Sequence, residues 1–266
     1  MIQKMNDIRT ELRGISLVEI EAAIQRAGFE GFRARQIFHW LYKKDIRSFD
    51  EMANLPAPLR EWLKERFCPG GVEIEQTLED KDGSQKILYR LHDGLQVESV
   101  LMPFEGRRTL CISSQVGCAL QCEFCLTGRI GFIRNLTTAE ITDQVQCARR
   151  ELLKGEPPQN IVVMGMGEPF LNTDAVIPAL RLLTAPDAVG IPTRRITVST
   201  AGVAPGIRAL AEAALGVNLA VSINAPDDVL RSRLMPVNAR YPLSELIKAC
   251  EEFPLDNRRK IGRAHV

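Results

Sequence analysis

The 266-residue chain lacks any apolar run approaching the roughly 18 residues that a membrane-spanning helix needs. Its start, MIQKMNDIRTELRG, also lacks the apolar stretch of a signal peptide. Both absences point to a cytoplasmic protein. Net charge is missing too: 34 Lys and Arg against 33 Asp and Glu leave +1 at pH 7. That balance neither demands nor excludes nucleic acid, because a local basic patch binds phosphate while the total stays neutral. An even cysteine count is likewise absent. Seven cysteines, three of them within eight residues, argue against a secreted disulfide framework and for metal ligation or redox chemistry in a reducing compartment. What the chain does have is 45% hydrophobic content over a length able to bury a real core.

Three- and four-residue apolar spacing predicts helices in LVEIEAAIQRAG, FRARQIFHWLYKK and LPAPLREWLKERF, a small helical module over residues 1–70. Over 71–104 the period changes to two, in VEIEQTLE, SQKILYRLHD and LQVESVLMP, with KDGS and HDG as turn signals for an antiparallel meander. From 105 to 261 strand, loop and helix repeat: RTLCISS, NIVVMGMG, RRITVSTAG and VNLAVSINAP each precede a helical pattern. Four such units imply an α/β fold with a parallel sheet and covering helices, open or curved into a partial (β/α) barrel. After the helix PLSELIKACEEF, RRKI begins a further strand.

The central chemical signal is GCALQCEFCLTG, with Cys118, Cys122 and Cys125 in C-x3-C-x2-C spacing directly after a strand. A zinc site normally takes four protein ligands, and no fourth Cys or His lies nearby in sequence, although a distant His92 or Cys111 could fold in. A four-iron cluster usually takes four cysteines, so three leave one iron open for a small molecule. The other strand ends carry MGMGEP, with Gly165 and Gly167 permitting close backbone approach and Glu168 offering a carboxylate; then Ser199, Thr200 and Gly202; then Ser222, Ile223 and Asn224. Ligands of parallel α/β folds bind at such strand ends. Taken singly, GMGEP is more often a tight turn, and a Ser or Asn there is more often a helix cap.

The cysteine motif, with Phe124 before its last member, resembles the radical S-adenosylmethionine (SAM) signature. Together with VESVLMP, GFIRNLT, VVMGMGEPFLN and SINAPDD it is similar to the RlmN family of adenosine C2 methyltransferases, while GFRARQIFHWLY and SFDEMANLP resemble that family's N-terminal accessory domain. The resemblance implies a radical SAM partial barrel with a [4Fe-4S] cluster on Cys118, Cys122 and Cys125, and SAM on Gly167, Glu168, Ser199, Ser222, Ile223 and Asn224. It implies methylation of C2 of adenosine in 23S rRNA and tRNA through a methyl-cysteine, with Cys111 as the second cysteine that releases the product by forming a disulfide. Glu98 matches a glutamate that contacts adenine and is a candidate proton acceptor. An external electron donor such as flavodoxin and a monomeric full-length protein are implied as well.

Read without the motif, Cys111 is a small buried thiol and Glu98 a solvated strand residue. Cys68, Cys147, Cys250, His39 and His92 show no ligand spacing. Arg33, Arg35, Lys43, Lys44 and Arg47 on the helical module, and Arg107, Arg108, Arg129 and Arg134 around the cysteine loop, are candidates for RNA phosphate, each equally readable as solvated surface. The family pattern continues past RRKI into further barrel units, another SAM-contacting asparagine and the methyl-carrying cysteine. Residues 262–266 instead read as a non-native tail, IGRAHV being encodable by a sequencing-adapter fragment. The expectations are an exposed sheet edge prone to aggregation and no C2 turnover by these residues alone. A C8-adenosine rRNA methyltransferase and a zinc-bound RNA-binding module are the alternatives.

Overall fold

Apolar spacing sets the first helices, and the computed structural model, which describes residues 9–255 and 261–264, shows how their ends are fixed. Helix α1 (Leu17–Arg26) starts at a capping box, in which the Ser16 side chain accepts from the Glu19 N–H while Glu19 accepts from the Ser16 N–H. It buries Ile20 and Ile24. Helix α2 (Arg33–His39) widens into a π-helical turn over Trp40–Lys44, ended by Asp45 in the left-handed region at φ 53°. Helix α3 (Ala57–Arg66) follows Pro56 and buries Leu59 and Leu63. Strands β1 (Thr10–Glu11) and β2 (Phe67–Cys68) pair in parallel and bring the two ends of this module together.

The period-two segments form β3 (Glu73–Glu79), β4 (Gln85–Arg90) and β5 (Gln96–Phe104), each antiparallel to the next, and β5 pairs antiparallel with β6 (Arg107–Ile112). After β6 a short hairpin of β7 (Gln115–Gly117) and β8 (Phe132–Asn135) brackets the cysteine loop and the helix α4 (Leu126–Ile130). The repeated units then run α5 (Thr138–Glu151), β9 (Asn160–Val163), α6 (Thr173–Thr184), β10 (Ile196–Thr200), α7 (Ala204–Glu212), β11 (Asn218–Ser222), α8 (Asp228–Leu234) and α9 (Leu243–Glu251). Residues 258–260 of the expected RRKI strand lie outside the described residues; β12 (Gly262–Ala264) pairs in parallel with Ala220–Ser222. The sheet order is β12-β11-β10-β9-β6-β5-β4-β3, parallel from β6 to β12.

Burial shows that the sheet is wound on one side. Leu110, Ile112, Ile161, Val163, Ile196, Val198, Leu219 and Val221 point into the apolar core. On β6, β9 and β10 the residues that alternate with them, Thr109, Cys111, Val162, Thr197 and Ser199, are only half-buried, whereas on β11 the small Ala220 is buried. A doubly wound sheet would cover both faces; a partial (β/α) barrel leaves its interior face open, as here.

Helix α5 departs from the surface-helix pattern. Every residue from Ala139 to Ala148 is buried, including Glu140, Thr142, Asp143, Gln144 and Gln146. Its outer side is covered by the N-terminal module, and the contacts are polar. Arg13 bonds Asp143, donates to the Ile46 carbonyl (2.9 Å) and pairs with Asp45 (2.9 Å); Arg150 pairs with Asp45 (3.0 Å). Gln146 and Arg149 donate to the Tyr42 carbonyl at 3.1 and 3.0 Å. Burial works against the Arg13 charge, but Asp143 and Asp45 more than offset it, so the guanidinium stays charged.

Glu11, beside this network, accepts from the Thr137 hydroxyl (3.1 Å), yet burial and then the Glu140 and Asp143 charges push its carboxyl up from 4.5 to about 7. The folded chain therefore keeps a proton between those values that the unfolded chain has released. Stability is fully present below the unfolded value and falls by up to about 1.4 kcal/mol per pH unit as pH rises through that window, levelling off above it. Glu168 contributes in the same window, since burial raises it to about 7 as well. The Glu11→Gln variant is expected to lose one group's share of this slope in urea denaturation run from pH 5 to 7.5; an unchanged slope would rule out the assignment.

Candidate active site

The site forms where β6, β9, β10 and β11 end. Cys118, Cys122 and Cys125 lie in one loop between β7 and α4, with Cys118 buried, the other two half-buried, and Cys125 preceding α4 as its N-cap residue. Burial raises the Cys118 thiol, and it pushes Cys122 up to about 11, with Cys118 and Cys125 acting in the same direction. Negative charge on Cys125 likewise disfavours it on Cys118, after burial and the Glu168 carboxylate. Among the described residues no group of three His, Cys, Asp or Glu is gathered so as to hold a metal ion. His92 lies against Gly71, and Cys111 sits in mid-strand beside the Met164 N–H, so neither completes a zinc set. The donor set does fit a [4Fe-4S] cluster: three thiolates from one loop need a positively charged metal core to offset their burial, and three leave one iron open.

The MGMGEP loop is bound to the end of β6 by backbone and side-chain bonds. Gly165 donates to the Ile112 carbonyl (3.0 Å), Met166 donates to Ser113 Oγ (2.8 Å), and the Met166 carbonyl accepts from Ser114 (2.9 Å) and Gln115 (3.2 Å). A Cβ on Gly165 would lie 2.6 Å from Ser113 Oγ; one on Gly167, whose φ is +97°, would lie 2.5 Å from Gln115 Cβ. The close approach that these glycines allow is therefore made to the β6–β7 segment. Glu168 follows, buried, with its N–H donating to Gln115 Oε1 (2.8 Å) and its carboxylate accepting from Phe170 (3.1 Å) and Ala201 (2.7 Å). Those bonds and Thr200 lower its pKa, and burial outweighs them.

Ser199 projects half-buried from β10 onto the open face, while buried Thr200 caps the following turn, its hydroxyl accepting from Gly202 (3.0 Å) and Val203 (3.2 Å). Ser222, Ile223 and Asn224 are half-buried at the end of β11. Asn224 adopts φ 54° and donates to Met235 Sδ (3.5 Å); Asn is among the few non-glycine residues that enter this region readily.

Cys111 pairs in register with Val100, which puts it on the same face as Glu98 two residues away along β5. Its thiol is pushed up to about 11 by burial, with the Met164 N–H pulling the other way. Glu98 is half exposed; Oε1 pairs with Lys86 (2.7 Å), its carbonyl accepts from Ser113 Oγ (2.6 Å) and its N–H donates to Met166 Sδ (3.3 Å). The two proposed catalytic side chains are thus tied to the MGMGEP loop through the backbone around them.

Sequence reasoning missed the residues that tie these loops together. Gln144 of α5 bonds both the N–H and the carbonyl of Ser113 (2.9 and 3.0 Å), and Asn172 donates to the Ser114 and Leu136 carbonyls (2.8 Å each). Gln115 links Asn135 (2.8 Å) to Glu168. The signal available was a run of polar residues, ISSQVG, at the end of a buried strand. Of the candidate RNA contacts, Arg134 is engaged by Glu140 (2.7 Å) and Asp93 (2.7 Å), Arg47 by Glu73 (2.7 Å), Arg33 by Glu30 (3.3 Å) and Arg108 by Glu156 (3.6 Å). Arg35, Lys44, Arg107 and Arg129 are exposed. The outer side of the cysteine loop exposes Phe124, Leu126, Ile130 and Phe132.

The profile described as the Radical SAM superfamily matches residues 112–254, and that of the ribosomal RNA large subunit methyltransferase N-terminal domain matches residues 3–68. A dual-specificity RNA methyltransferase RlmN of Pelobacter propionicus is 49% identical over 258 residues, covering 97% of this chain and 73% of the relative. The same-named protein of Geobacter sulfurreducens is 50% identical over 260 residues, covering 98% and 71%. Among solved structures, a radical SAM methyltransferase from Sphaerobacter thermophilus superposes with a TM-score of 0.88 at 42% identity, over 96% of this chain and 75% of that one.

Proposed function

Because the chain belongs to the RlmN family of radical SAM methyltransferases, we propose that it serves the methylation of adenosine at C2 in 23S rRNA and tRNA, in the cytoplasm, with an external donor such as flavodoxin. The family's cofactors are a [4Fe-4S] cluster and SAM. Together, when bound, they supply the one-electron chemistry that an electron-poor aromatic C–H carbon requires, since such a carbon is a poor nucleophile toward a sulfonium methyl. The observation that carries the reading is the three-thiol loop set beside the buried Glu168 and the ends of β10 and β11, with Cys111 on the adjoining open face.

Cys118, Cys122 and Cys125 would hold the cluster. Gly167, Glu168, Ser199, Ser222, Ile223 and Asn224 would line the SAM site, the Glu168 carboxylate meeting the substrate's ammonium group. With Glu168 raised to about 7, its charged form grows in as pH rises through that value, and SAM affinity should rise with it. Cys111 would release the product by forming a disulfide, its raised pKa keeping the thiol protonated until then. Glu98 would take a proton on the oxygen not held by Lys86. Exposed Arg129 with Phe124 and Phe132 supports contact with an unpaired RNA segment, because aromatic faces stack on bases and guanidinium meets phosphate. The 266 residues by themselves are proposed not to turn over, since the methyl-carrying cysteine of the family matches none of them.

The test is anaerobic reconstitution of the chain extended to its relatives' length, with SAM, reductant and RNA, and mass spectrometry of the nucleosides. We expect 2-methyladenosine, and a protein–RNA adduct that accumulates in Cys111→Ala. Formation of 8-methyladenosine instead, or of no modified adenosine by a cluster-loaded protein, overturns the assignment.

A further inference from the structure

Arg231 of α8 has no part in the reading above, yet it is 0% exposed and is the largest of the fully buried side chains. Burying a guanidinium is costly unless its donors and its charge are both answered. The donors are answered by carbonyls. Nε donates to Ile223 (3.0 Å), and one terminal nitrogen donates to Ala201 (2.5 Å) and Ser222 (3.1 Å). The other donates to Asn238 Oδ1 (2.7 Å), whose amide is held by Asp228 (2.9 Å) and Ser232 (2.9 Å). One side chain therefore fixes the ends of β10 and β11 against each other, at Ala201, whose N–H donates to Glu168.

The charge is not answered by an ion pair: among the described residues no carboxylate lies within 4.0 Å of it. Burial accordingly lowers its pKa, with Asp228 and then Cys122 acting against the shift. The cysteine loop is joined to the same helix, since the Glu123 N–H beside Cys122 donates to the Leu234 carbonyl (2.9 Å). A cation so placed has its purpose when the loop is negative, as three thiolates make it.

We propose that Arg231 is a positioning residue of the cluster and SAM site: its planar fork pins the carbonyl ends of β10 and β11 for SAM, and its buried charge, on the helix to which the cysteine loop is bonded, balances the thiolate-bound cluster. The inference rests on the assignment of cluster and SAM to this site. A nearby buried cation favours the more negative, reduced state of a cluster, so it raises the reduction potential. Lys at this position would keep the charge and lose the fork, because an ammonium cannot reach three carbonyls in one plane.

Three variants separate these parts: Arg231→Met, Arg231→Lys and, as control, Arg233→Met, which removes the same charge from an exposed position of the same helix. In metal-free protein, hydrogen exchange at the amides of 201–203 and 223–225 should speed up about tenfold or more in both Arg231 variants, and not in the control. After anaerobic reconstitution, a redox titration followed by electron paramagnetic resonance should give a more negative midpoint for Arg231→Met and a wild-type midpoint for Arg231→Lys and Arg233→Met. SAM affinity should fall about tenfold or more in both Arg231 variants. Arg231→Met with a wild-type midpoint, or Arg233→Met shifted as far as Arg231→Met, overturns the charge role; Arg231→Lys with wild-type SAM affinity and exchange overturns the fork. Should Arg231→Met fail to fold, a shifted midpoint in Arg231→Lys overturns the charge role by itself. A wild-type chain that takes up no iron defeats the cluster assignment instead, and the exchange experiment still decides the clamp.

Discussion

Anaerobic reconstitution of Cys118→Ala is expected to leave no stable [4Fe-4S] absorption and no reductive cleavage of SAM, with helical content retained. The size of the effect follows from the donor count. Three thiolates already leave one iron without a protein ligand, so removing one leaves two for four irons, and neither His92 nor Cys111 stands ready to replace it. The fold should tolerate the change, because Cys118 is a small side chain whose neighbours are held by the β7–β8 ladder and by its own N–H donating to the Gly131 carbonyl (3.0 Å). Iron and sulfide analysis with assay of 5'-deoxyadenosine measures the outcome. Full cluster content in this variant would move the ligand set elsewhere.

The second large effect concerns stability. Arg13→Ala should cost about 3–5 kcal/mol, because it strands Asp143 in the interior with its charge unpaired and also opens the contacts to Asp45 and Ile46. For a chain of this size that corresponds to a melting shift of roughly 10 °C. Asp143 also accepts from the Val72 N–H (3.0 Å), so the loss reaches the start of the meander. Arg13→Lys should recover only part of it, since an ammonium cannot meet two carboxylates and a carbonyl in one fork. Thermal or urea melts test this, and a loss under about 1 kcal/mol would place the network among surface-like pairs.

How far the sequence was legible differs between these two sites. Periodicity located every helix of the repeated units, and strand ends located the site loops, because both follow from local burial patterns. The cysteine spacing carried its chemistry openly for the same reason. The polar residues of α5 were not legible: Asp143 and Gln146 look like the wet side of a helix, and only Arg13 and Tyr42 of the N-terminal module, more than a hundred residues earlier, reveal that they are interior. Arg231 was hidden likewise, since in DDVLRSRLM it reads as helix surface while its partners lie on two other strand ends. The β7–β8 hairpin escaped because three- and four-residue strands carry too little alternation to register.

That hairpin has a kinetic consequence. The chain leaves for the ligating segment at Gly117 and comes back at Phe132, two residues paired with each other. The entropy of closing the ring is thus spent during folding. Iron would meet a receptor whose mouth has already been cinched, and metallation should proceed as a capture event in the mature fold, at a speed insensitive to how the remainder of the polypeptide was assembled.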